Sequence, residues 1–172
     1  MASLMENLID VLYQENSEYE ALLELSMKKT GVIIQGDLEK LAKITDEEQD
    51  VISRLNRLEN KRQEVTTDVA NVLNKDVNTL KLVDLIQMLA PRPAEQKKLA
   101  DCHDKLTDTL MQMVRVNEQN RELIQNSLEM IEFDINMLQA LKTAPETANY
   151  NKGAYNAGEV MGRTTRSFDA KQ

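Results

Sequence analysis

Tryptophan is absent from this chain, and the aromatic residues are four tyrosines and two phenylalanines in 172 residues. That scarcity, with few β-branched clusters, argues against strands and a stacked-sheet core. Five glycines and three prolines leave few tight turns, so the helices should be few and long. One cysteine, Cys102, excludes an intramolecular disulfide framework. The greasiest stretch, LKLVDLIQMLA, contains Lys81 and Asp84 and falls well short of the ~20 apolar residues of a bilayer span. The opening MASLMENLID has no basic residue, the first being Lys28, and no h-region of a secretory leader. The expected compartment is the cytoplasm. Positive charge is also short. The net charge is −8, with −9 before residue 143 and +1 after it. An acidic body lacks the basic footprint that nucleic acid requires.

Leu, Met, Glu, Gln, Asn and Lys dominate instead, a palette that favours helices. In the first third, Leu4, Leu8, Val11 or Leu12, Tyr19, Leu22, Leu25 and Val32 recur at spacings of three and four, one face of a helix. Residues 14–17 interrupt that stripe with polar side chains. Leu38, Leu41, Ile44, Val51, Leu55, Leu58, Val65, Val69 and Val72 carry a second stripe, with Gly31 and Gly36 at the natural break. These helices are expected over about 2–35 and 37–74, bent or nearly continuous. Thr79 is a candidate cap for a short helix over about 80–90, ended by Pro91 and Pro93.

A final helix over about 94–142 has the clearest period: Leu99, Cys102, Leu106, Leu110, Met113, Asn117, Asn120, Ile124, Leu128, Ile131, Ile135 and Leu138. About forty residues of unbroken three-four spacing imply coiled-coil-like packing. The expected partner is the first half of the chain, met antiparallel. The fold class is therefore all-α, an elongated antiparallel helical bundle over 1–142, followed by a flexible tail over 143–172. The tail has no leucine or isoleucine but carries two tyrosines and three glycines, a composition that cannot join a core.

Chemistry-bearing clusters have bland readings. Cys102 and His103 are adjacent, so on a helix they diverge by about 100° and do not converge as metal ligands. TDEEQD, residues 45–50, reads as a solvated face or a helix start, Thr45 and Glu48 having capping-box spacing. No Gly-rich phosphate loop or nucleophile–base motif is present. No enzymatic activity, cofactor or metal is expected.

Two features of the last helix are less ordinary. Asn117 and Asn120 interrupt an apolar stripe, where asparagine either fixes register or meets a partner. After Val116 the apolar arc also widens. Val116, Leu123, Met130, Met137 and Leu141 lie roughly 100° round from the Ile124 and Ile131 stripe, with Phe133 on a third side. Met111, Met113, Met130 and Met137 suit an adaptable helix-binding surface, although a methionine stripe is more often core.

The order of LIDVLYQENSEYEALLELSMKK, GDLEKLAKITDEEQDVISRLNRLENKR and NEQNRELIQNSLEMI, with a tyrosine and nearby glycine in a short tail, resembles the FlgN family of flagellar export chaperones. The resemblance implies a cytoplasmic helical chaperone that binds the C-terminal helices of hook–filament junction proteins. It would prevent their premature assembly and deliver them to the gate of the flagellar type III secretion apparatus. It implies a client site at Asn117, Asn120, Ile124, Leu128 and Ile131, and gate docking through Tyr150, with Gly153 and Tyr155 beside it. The second tyrosine, Tyr155, departs from the expected pattern and leaves open which one docks. A structural coiled-coil adaptor or homo-oligomeric scaffold, using the same stripe to pair with itself, is the competing reading.

Overall fold

The computed structural model describes residues 2–143, all of the secondary structure being helical: α1 Ala2–Gln35, α2 Leu38–Leu73, α3 Leu82–Met88 and α4 Pro93–Thr143. The expected tail, with Tyr150, Gly153 and Tyr155, lies outside the described residues. The chain divides into two units, Met1–Glu129 and Met130–Gln172. The described part of the second is the last stretch of α4.

α1 and α2 are separate helices joined by a reversal. At Gly36 the backbone turns left-handed, φ 68°, a conformation that costs glycine little because it has no Cβ. The Gly36 N–H donates to the Ile33 carbonyl (3.1 Å) and the Asp37 N–H to that of Val32 (3.3 Å). This pair of bonds satisfies the otherwise orphaned last carbonyls. Asp37 then caps α2, its carboxylate accepting from the Lys40 N–H at 3.0 Å. Asn74 closes α2 in the same way, with φ 56° and bonds back to Asn71 and Ala70.

Cross-helix pairs give the directions. Glu15 meets Arg62 (3.0 Å), Glu18 meets Arg54 (2.9 Å), and Lys29 meets Glu48, so α2 runs antiparallel to α1. On the other side Glu20 meets Lys105 (2.8 Å) and Thr30 meets Asn120 (2.6 Å). Residue numbers rise together, so α4 runs parallel to α1 and antiparallel to α2. The expectation of a last helix antiparallel to the whole first half is corrected here. α2 has already reversed the chain once, and the connector reverses it again.

Two details of the connector also differ from expectation. Thr79 does not cap α3. Its hydroxyl is held by the Asp76 carbonyl (3.0 Å) in a preceding turn, and Asp84 instead accepts from the Lys81 N–H (3.1 Å). Pro93, expected to end α3, is the first residue of α4, where its missing N–H is no loss.

The first unit is packed in alternating apolar and polar layers. One cluster joins Met5, Leu8, Ile9 and Leu12 of α1 with Val69, Leu85, Leu89, Leu99 and Cys102. A second joins Leu22 and Leu25 with Val51 and Leu55, flanked by Tyr19, Ile44 and Met113. Between them on α1 come Glu15 and Asn16, both buried. Residues 14–17 are therefore no break in α1, and Arg62 is the partner that lets Glu15 go inside. Glu48 is likewise buried, so TDEEQD is neither a helix start nor a wholly solvated face. Thr45 lies within α2 and bonds the Leu41 carbonyl (2.9 Å).

Candidate functional site

The site expected from the sequence lies on α4 after Val116, and the structure separates its members. Asn120 points inward and is 4% exposed. Its amide oxygen accepts from the Thr30 hydroxyl (2.6 Å) and its amide nitrogen donates to the Ser26 carbonyl (2.8 Å). Both partners are on α1. Ser26 also donates through its hydroxyl to Glu48 (3.4 Å), which Lys29 pairs from the side. A polar layer thus links all three long helices at one level. An amide with a donor and an acceptor both engaged holds α4 at one axial position against α1, because a shift of one turn breaks both bonds.

Asn117, three residues earlier, is exposed and makes no such bonds. Val116 and Leu123 are half-buried against the first unit. Ile124 is at the margin of burial at 38% exposed, and Leu128 is 62% exposed.

In the second unit every described side chain is exposed. Ile131 is 56% exposed, and Met130, Phe133, Ile135, Met137, Leu138 and Leu141 are at least half open or nearly so. Isolated exposed apolar residues are common, but here they recur on one helical segment at spacings that form a stripe. Neither Lys nor Arg occurs between Leu123 and Leu141, whereas Glu129, Glu132 and Asp134 do.

Three other features of the described residues bear on chemistry. A cavity of about 210 Å³ beside the first cluster is lined by Met5, Val69, Leu73, Leu85, Met88, Leu89, Pro91 and Arg92. Its one charged group, Arg92, pairs with Glu95 at 3.3 Å. Burial pushes the Cys102 thiol up from its ordinary value, which favours the unreactive form. His103 lies 3.1 Å from the adjacent Asp104. Among the described residues no three His, Cys, Asp or Glu side chains are grouped to hold a metal ion, and no helix is long and apolar enough to cross a membrane.

Glu15, Ser26, Lys29 and Thr30 are not singled out by the sequence pattern, and Glu48 reads there only as part of a capping or solvated segment. A signal existed for Glu48. The stripe steps from Ile44 to Val51, and a regular three-four pattern requires a member at 48.

Comparison with known proteins supplies a further finding. The family described as "FlgN protein" matches residues 1–157. A protein of Bacillus subtilis (strain 168), named "Uncharacterized protein YvyG", is 27% identical over 133 residues, 77% of this chain and 76% of that one. No solved structure shows a significant match.

Proposed function

This chain belongs to the FlgN family, flagellar export chaperones rather than enzymes, and from that premise we propose that its clients are hook–filament junction proteins. It binds their C-terminal helices in the cytoplasm, keeps them from assembling early and delivers them to the secretion gate. The observation that carries this reading is the uncovered apolar stripe of α4, with Leu128, Ile131, Ile135 and Leu138 exposed. A helix that already has its partner needs no such stripe. Client contact is assigned to Asn117, Ile124, Leu128 and Ile131, all accessible. Asn120 serves the same site indirectly by holding α4 in register. Gate docking is assigned to Tyr150, Gly153 and Tyr155 of the tail, an aromatic anchor in a segment without core residues.

The test is a binding measurement with the full chain and the C-terminal helical segment of a junction protein. Leu128→Asp and Ile131→Asp each place an unpaired carboxylate in the interface and should weaken binding at least about a hundredfold. Circular dichroism should show unchanged helix content, because both side chains are exposed in the free protein. Wild-type affinity in both variants would remove this stripe from the client site. A stable homo-oligomer that dissociates in both variants would favour the scaffold instead.

A further inference from the structure

The stripe of the second unit has charged edges. With about 100° between successive residues, Ile131, Ile135 and Leu138 fall within a narrow arc, and Glu132 and Asp134 lie on its two flanks, each about 80° from the centre. In heptad terms Ile131 and Leu138 take d, Ile135 takes a, and Glu132 and Asp134 take e and g. These are the edge positions that choose a partner by charge. Asp134 has a second neighbour. Met130, Met137 and Leu141 form another apolar arc beyond it, so Asp134 divides two greasy surfaces. Among the described residues neither Glu132 nor Asp134 has an ion pair within its own chain, and both are exposed. Residues 123–141 contain no Lys or Arg, and the flanking cations, Arg121 and Lys142, are thirteen and eight residues from Asp134.

We infer that the partner of this surface is an amphipathic helix of another protein that carries a Lys or Arg packed against Asp134. The inference rests on the client reading above and specifies the chemistry of that client. A helix lying on the stripe covers Asp134 on one side, and any contact with the methionine arc covers it on the other. A carboxylate desolvated in that way requires a cation. A second copy of this chain does not meet the requirement. An antiparallel pair centred on this segment sets Asp134 against Asp134 and Glu132 against Glu132, and in-register parallel pairing leaves both without a cation.

The experiment uses the full chain and, as probe, the C-terminal helical segment of a hook–filament junction protein from the same organism. Asp134→Lys should weaken binding at least about tenfold, Asp134→Asn less, and raising the salt should weaken the wild type more than either variant. The probe is then made with each of its Lys and Arg residues changed singly to Glu. One of these probes should bind the wild type poorly and regain affinity with Asp134→Lys, a coupling that a merely structural aspartate does not produce. Ile135→Asp separates the two claims. If it abolishes binding while Asp134→Lys binds as tightly as the wild type, the charge inference is overturned and the client surface stands. If Ile135→Asp also binds normally, the surface itself falls. A dimer of the free chain that Ile135→Asp dissociates overturns the inference in favour of self-pairing.

Discussion

Position 15 would suit leucine on pattern alone, yet it holds a carboxylate whose side chain is 4% exposed. Burial raises the Glu15 carboxyl above its ordinary 4.5, and the Arg62 guanidinium at 3.0 Å pulls it back down without cancelling the effect. A raised folded value means that the folded protein keeps the proton over a range where the unfolded chain has lost it. The stability linked to this proton is complete below about pH 4.5 and is lost as pH rises through the folded value. Glu15→Gln should therefore flatten this part of the pH dependence, as read by urea unfolding from acid to neutral pH. Arg62→Met leaves the charge buried and alone, and should cost about 2 kcal/mol at neutral pH and less in acid. An equal loss at both ends of that range would show that Arg62 acts through packing.

Among the helices, α4 takes its polar register against α1 from Asn120. Asn120→Ala removes the bonds to Ser26 and Thr30 and should destabilise the protein by about 2 kcal/mol, because two cross-helix bonds are lost and the Ser26 carbonyl is left without the amide donor in a buried place. Asn117→Leu should change stability by less than about 0.5 kcal/mol, as at other exposed positions, and act instead on client binding. Thermal unfolding of the two variants distinguishes the roles. The sequence shows both asparagines on one stripe and does not tell them apart, since which one lies inside depends on where α1 supplies Ser26 and Thr30. The helices themselves were legible, because three-four spacing is a property of local sequence. The direction of α4 against α1 was not, for an apolar stripe reads the same from either end; contacts such as Glu20–Lys105 and Thr30–Asn120 orient it. The stripe on the last helix was legible as wide and greasy. Its being uncovered at Leu128 and Ile131 was not, because periodicity records what a face is made of and is silent on what lies opposite.

For the chain as a whole, the parallel arrangement of α1 and α4 has a temporal side. The side-chain bonds from α1 to α2 span 19 to 47 residues of sequence, a hairpin that closes from its turn, whereas the hydrogen bonds from α1 to α4 span 90 and 94. Closing the longer loop costs more entropy and comes later. During synthesis the first helix made must wait for the last: Val69, Leu85 and Leu89 can cover Leu8 and Leu12 earlier, but the cluster stays open on one side until Leu99 and Cys102 arrive. Val51→Ala, inside the hairpin, should chiefly slow refolding, while Leu99→Ala should chiefly speed unfolding, in stopped-flow measurements. The reverse assignment would mean that α4 nucleates the fold. If the order holds, the protein passes through a stage in which its own early surface lies open to any passing amphipathic helix, and α4 is its first client.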